Sequence, residues 1–257
     1  MAALGYALIT FVCTVACAVF GTTVRTWLPE THLNKESQDV IRLGMGLVAT
    51  MTALLLGLVT AAAKGSFDTQ DVAVKNAAAG IMTLDRLLAR YGPETKPSRE
   101  LLKQALADRL EAMWPPNGAR PVDLDLTRPQ STDPVPVERF ENQLLELSPQ
   151  TDTQKWLKSE ALKLTEETVR TRFRLLGSAT GAVPKTLLAV VIFWLSMTFA
   201  SFGLSAPRNA TVVTVLVISA LSVAAAVFLI LELDGPFEGL IRISNEPLRF
   251  ALSNLGR

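Results

Sequence analysis

The chain has 257 residues, 49% hydrophobic and only 19% charged, with a formal net charge of +1. A soluble domain carries about a quarter charged residues, so the composition points away from an ordinary soluble fold. The near-neutral balance supplies no broad basic field, which excludes a nucleic-acid partner.

The charge deficit is uneven. Residues 1–24 contain no charged side chain, and neither do Leu43–Ala63, Thr186–Pro207 or Asn209–Leu231. Each run is long enough to cross a bilayer, which takes about 20 residues at about 1.5 Å rise per residue. One Arg or Asp at mid-span costs about 2.5–3.5 kcal/mol on insertion scales, so four uncharged runs in one chain are strong evidence of spanning helices. The spans are placed at about 4–25, 42–63, 184–204 and 211–232. Cys13 and Cys17 fall four residues apart in the first span, where they read as small apolar packers rather than a disulfide.

Four crossings put both termini and the long central segment on one side. Basic residues near the spans on that side are Lys64, Lys75, Arg170, Arg172, Arg174, Lys185, Arg242 and Arg249; the short loops opposite hold Arg25, Lys35, Arg42 and Arg208. This bias predicts that residues 64–183 and both termini lie in the cytoplasm.

Residues 64–183 read as a helical cytoplasmic domain inserted between spans 2 and 3. Val74, Ala77, Ala78, Ile81, Leu84, Leu87 and Leu88 recur at helical spacing, with Lys75, Asp85 and Arg86 on other faces. Gly92-Pro93 ends that helix, and Ser98 is the expected cap of the next, which carries Leu101, Leu102, Leu106, Leu110 and Met113. Residues 115–136 hold six prolines and read as an irregular loop. A helix over 138–147 and another from 151 or 152 to beyond 173 complete the domain. Arg170, Arg172 and Arg174 on the final turns suit anionic lipid headgroups. The expected organisation is all-α: residues 1–63 with spans 1 and 2, 64–183 the inserted domain, 184–233 with spans 3 and 4, and 234–257 an elbow with an interfacial C-terminal segment.

No catalytic constellation is visible. The single histidine, His32, has no neighbouring Cys or second His to complete a metal site. No Gly-x-Ser-x-Gly turn occurs, and Glu166 and Glu167 lie among the lysines and arginines of one helix. The expectation is no enzyme, no cofactor and no metal.

The second span is more informative. Arg42, Gly46, Thr50, Ala53, Gly57, Thr60 and Lys64 follow steps of three and four, which places all seven on one face. That face is small and weakly polar, with a cation at each end. It has two readings: small residues let helices pack closely, or copies of this helix surround an axis whose basic mouths attract anions. Thr50 and Thr60 would then donate hydroxyl hydrogen bonds to an ion, and Leu47 or Leu54 would form a dewetting gate.

After the fourth span comes Glu232-Leu233-Asp234-Gly235-Pro236-Phe237-Glu238-Gly239. Gly235-Pro236 breaks the helix, Phe237 is an expected interfacial anchor, and Gly239 permits a second bend. The carboxylates at 232, 234 and 238 do not have the spacing of an EF-hand loop, so a structured elbow is favoured over a metal site.

Asp234, Pro236, Phe237 and Gly239 match a Leu-Asp-x-Pro-Phe-x-Gly motif placed after the last of four spans, and Pro184 opens the third span after an Arg-rich helix. In these features the whole chain resembles the bacterial bestrophin-like membrane family. Bestrophins proper are homopentameric anion channels whose pore is lined by the second helix, so the resemblance implies a homo-oligomer, a pentamer, with span 2 facing its axis. The chain departs from them in two ways. It lacks the consecutive acidic residues after Pro-Phe that form a calcium clasp, and its second span has no Phe, Trp or Tyr. The leading expectation is a homo-oligomeric channel for small anions, with copies of itself, small ions and anionic lipids as partners. The runner-up is a non-conducting scaffold or sensor that binds a partner through its cytoplasmic helices. A coupled transporter is disfavoured because no span has an ionisable group at mid-depth.

Overall fold

A computed structural model describes residues 2–27, 35–114, 136–178, 183–207, 209–237 and 239–256. His32, Arg208, Glu238 and all but the last residue of the proline-rich stretch 115–136 lie outside the described residues. The described elements are α1 (Ala2–Trp27), α2 (Lys35–Tyr91), a 3-10 turn (Pro93–Thr95), α3 (Lys96–Met113), α4 (Pro136–Glu146), α5 (Asp152–Ser178), α6 (Lys185–Ser205), α7 (Ala210–Asp234) and α8 (Glu246–Asn254). No strand occurs among the described residues. Four of these helices, α1, α2, α6 and α7, are long and apolar enough to cross a membrane.

The chain divides into two compact units. The first comprises Met1–Ser66, Gly181–Gly235 and Gly239–Ile241; the second comprises Phe67–Thr180, Pro236–Glu238 and Arg242–Arg257. α2 is one continuous 57-residue helix that contributes to both. Sequence reading places a boundary near residue 64, where the pattern turns amphipathic. The backbone does not break there, because Gly65 lowers helix propensity by only about 1 kcal/mol and nothing nearby terminates the helix.

In the first unit α1 packs against α6 and α7. Ala18, Phe199 and Ala220 are buried at the centre, flanked by Phe11, Val15, Leu216 and Val223. Two glycines set the closeness of α1 and α6. A Cβ at Gly203 would fall on the Ala18 carbonyl oxygen, and one at Gly21 on the Ala200 carbonyl oxygen, a reciprocal small-residue contact of the kind that holds helices together in lipid. Thr10 and Thr14 are fully buried on α1. Their hydroxyls donate to the carbonyls of Tyr6 (2.8 Å) and Thr10 (2.9 Å), which satisfies them without an interhelical partner. Cys13 and Cys17 are free and half-buried. A second cluster joins Val59 and Ala63 of α2 to Val183 and Ile230. Arg25 donates from Nη1 to the Ala206 carbonyl (2.5 Å), capping the end of α6.

The second unit is built around the lower half of α2. Val74, Ala78, Leu84, Leu87 and Leu88 are buried, as their spacing predicts. Gly92 ends the helix at φ 149°, where a Cβ would meet the Glu94 carboxylate. The Thr95 hydroxyl donates to the Leu88 (2.6 Å) and Gly92 (2.8 Å) carbonyls. Thr95 rather than Ser98 stands at the N-cap position of the next helix, without a side-chain capping bond, and Pro97 lies in the first turn; Ser98 is buried inside α3. α5 opens on a capping box: the Thr151 hydroxyl accepts from Gln154 N (3.1 Å), and Gln154 Oε1 accepts from Thr151 N (3.3 Å).

Asp85 departs from its expected solvent-facing place. It is 4% exposed and receives two bonds from Arg99, 2.7 Å from Nε and 2.9 Å from Nη2, plus the Gly256 amide at 3.3 Å. The bond to Asp85 raises the Arg99 guanidinium above its ordinary value. In the C-terminal segment, Leu248, Ala251 and Leu255 are buried against Val74, Ala78, Leu106 and Leu110, so this face of α8 belongs to the core of the second unit.

Candidate functional site

The face singled out on α2 is exposed along nearly all its length. Arg42, Gly46, Thr50, Ala53, Gly57 and Lys64 are exposed and Thr60 is half-buried. The opposite side carries the contacts: Thr52 and Val59 are each 3% exposed and Ala63 is fully buried. A Cβ built on Gly46 or Gly57 meets nothing within 4 Å. Packing inside the chain therefore does not require small residues on this face, unlike the face bearing Gly21 and Gly203. Close approach within one chain accounts for that pair and does not account for Gly46 and Gly57.

Beside the small face runs a row of leucines, Leu43, Leu47, Leu54 and Leu58, each 62–76% exposed. Val48 and Leu55 are half-buried, while Met51 and Leu58 are exposed. The exposed arc thus holds both the small residues and most of the large apolar ones.

The threonines do not present free donors. The Thr50 hydroxyl donates to the Gly46 carbonyl (2.9 Å) and that of Thr60 to the Leu56 carbonyl (2.7 Å). An exposed threonine back-bonded in this way shows its lone pairs and methyl group outward. The hydroxyl protons expected to meet an ion are directed into the helix, and donating outward requires the side chain to rotate about χ1. Arg42 and Lys64 are 22 residues apart, or about 33 Å along an α-helix. That matches the roughly 30 Å hydrocarbon thickness of a bilayer and leaves the face uncharged between them.

The elbow residues divide between the two units. In the first, Glu232 is 6% exposed and its Oε2 accepts from Leu240 N (2.5 Å) and Ile241 N (3.3 Å). Gly239 has φ +83°, and a Cβ there would strike the Glu232 carboxylate, so the motif glycine serves both a left-handed turn and this close approach. Asp234 Oδ1 accepts from Val183 N at 3.1 Å, tying the start of α6 to the end of α7. In the second unit, the Pro236 carbonyl accepts from Ile243 N (2.9 Å). Phe237 packs edge-on against Trp114, with ring centroids 5.5 Å apart, and Trp114 Nε1 donates to the Ile243 carbonyl (3.0 Å). Phe237 is therefore a core contact rather than an interfacial anchor, while the exposed apolar side chain beside the turn is Leu240 (83%). The Glu232 and Asp234 carboxylates thus hold backbone amides. Among the described residues, no three His, Cys, Asp or Glu side chains gather as a metal-holding group.

Sequence reasoning named Glu232 only as one of three acids. The signal available was its position, the first of two carboxylates on the last turn of an otherwise uncharged span. Trp114 was missed entirely, because its partners lie more than 100 residues later.

Comparison with known proteins places these features in a wider group. The family model of the bestrophin-like domain matches residues 12–248. No curated protein matches the chain. Two crystal structures of a bacterial bestrophin homologue from Klebsiella pneumoniae, each carrying a single mutation to threonine, resemble it at 16% identity. Their TM-scores are 0.61 and 0.65, covering 96% of this chain and 96% and 97% of theirs. A glycine-to-alanine variant of a membrane protein gives a TM-score of 0.63 at 16% identity, with 96% of each chain covered.

Proposed function

This chain belongs to the bestrophin-like family, and we propose that it is a homo-oligomeric ion channel, conducting small anions along an axis lined by the first half of α2. The observation that carries this reading is the α2 face itself: exposed apart from half-buried Thr60, small, uncharged over a membrane's thickness between Arg42 and Lys64, and with open space at Gly46 and Gly57. A ring of copies gives such a face a neighbour. Arg42 and Lys64 then concentrate anions at the two mouths. Between them, passage depends on backbone dipoles, reorienting Thr50 and Thr60 hydroxyls and the neighbouring leucines, which favour a narrow path that dewets readily. The assembly is proposed to be a pentamer on the strength of the family resemblance. Its orientation, with both termini and the second unit in the cytoplasm, follows the distribution of Lys and Arg, and its place in the bacterial cytoplasmic (inner) membrane follows the family resemblance.

The test is ion flux from liposomes holding the purified protein, with chloride and potassium compared directly. Chloride flux exceeding potassium flux, with the preference reduced by Arg42→Glu, supports the reading. No flux from protein shown to be oligomeric transfers the argument to a non-conducting scaffold.

A further inference from the structure

We infer that the groove at the α6–α7 turn binds an anionic glycerophospholipid, with its phosphate on Arg25 and the upper part of one acyl chain along α7. The inference rests on these helices crossing a membrane and does not depend on conduction. The groove is lined by Phe202, Ala206, Pro207, Val212, Val215 and Leu216, with the Ser205 and Thr211 hydroxyls at the same end. From Thr211 to Leu216 it follows about 7.5 Å of helix, enough for the first part of a chain and too short for a whole lipid.

Charge identifies the occupant. Arg25 is half-buried and reaches the lining through its single bond to the Ala206 carbonyl. A guanidinium carries five N–H donors in a planar fork, and Arg25 forms no ion pair among the described residues. A half-buried cation beside an apolar groove at a span's end is stabilised by an anion, and a phosphate diester matches the fork in charge and geometry. Trp27, two residues on and 80% exposed, is the kind of side chain that sits at headgroup level. Phosphate height and groove mouth therefore coincide, and the groove descends from there into the apolar part of the unit.

The test is native mass spectrometry of the full chain, delipidated in detergent and then exposed to equal amounts of dioleoyl phosphatidylglycerol and dioleoyl phosphatidylcholine. Wild type is expected to retain phosphatidylglycerol about tenfold over phosphatidylcholine, and Arg25→Ala to remove most of that preference. Arg25→Lys should keep part of it. Because Arg25 also caps α6, Val215→Trp provides an independent arm; it fills the groove without touching the cation and should lower retention of both lipids. Equal retention of the two lipids by wild type, a preference unchanged in Arg25→Ala, or retention unchanged in Val215→Trp overturns the inference. A disulfide between copies of Val215→Cys in membranes also overturns it, since the groove would then hold a second chain.

Discussion

Alanine substitution at four glycines of the first unit is expected to divide them into two pairs. At Gly203 the added methyl falls on the Ala18 carbonyl oxygen, and at Gly21 on that of Ala200; in each case backbone stands in the way, so α1 and α6 must separate. Overpacking of this kind costs about 1–3 kcal/mol. Because both substitutions push the same helix pair apart, Gly21→Ala with Gly203→Ala should cost less than the sum of the two. At Gly46 and Gly57 the new methyl meets nothing within 4 Å, and helix propensity alone favours alanine by about 1 kcal/mol. These variants should match or exceed wild type in stability. Thermal unfolding of the purified protein in detergent, followed by loss of the folded species on size-exclusion chromatography, separates the pairs. If Gly46→Ala or Gly57→Ala destabilises as much as Gly203→Ala in protein that cross-linking shows to be monomeric, the α2 face is packed within the chain, and the argument that it is unused there is wrong.

Three further outcomes follow from individual contacts. Asp85→Ala removes the carboxylate bonded by the half-buried Arg99 guanidinium and releases Gly256, so it should cost about 1–3 kcal/mol; a melting temperature within a degree or two of wild type would show that the pair contributes little. Glu232→Ala removes the acceptor for two amides and should cost about 1–3 kcal/mol, visible in hydrogen exchange as lost protection at Leu240 and Ile241, while Gly239→Ala should fail similarly for lack of room. Burial, and then the Glu94 carboxylate, push the Tyr91 phenol above its usual 10.0. The folded state thus favours the neutral form, and this contribution, present below about pH 10, is lost as pH rises through the folded value. Tyr91→Phe removes a buried hydroxyl that has no hydrogen-bond partner among the described residues, so it should be neutral or stabilising at pH 7, with an advantage over wild type that widens above pH 10.

The membrane-spanning helices were legible because bilayer insertion penalises charge so heavily that uncharged runs announce themselves. The core of the second unit was legible from the same 3.6-residue spacing at Val74, Ala78, Leu84 and Leu88. Contacts between distant segments were not. Asp85 looked like a surface acid because Arg99 lies beyond the Gly92-Pro93 turn, and Phe237 looked like an anchor because Trp114 sits just past the end of α3, far away in sequence. The C-terminal helix carries a readable stripe, Leu248, Ala251 and Leu255, yet an amphipathic stripe alone does not say whether protein or lipid covers it. The glycines behaved likewise. Spacing marks Gly46 and Gly57 as one small face, but only the three-dimensional arrangement separates them from Gly21 and Gly203, whose space is taken by backbone.

The central claim, that the small face of α2 lines the ion path, is tested most directly by thiol accessibility during flux. With Cys13 and Cys17 replaced by serine, Thr50→Cys and Gly57→Cys are introduced separately, with Val213→Cys on α7 as the control. Chloride efflux from liposomes is then followed before and after a negatively charged methanethiosulfonate reagent is added. The account predicts block at positions 50 and 57 and none at 213. Efflux that continues unchanged after positions 50 and 57 are shown to be labelled would contradict it.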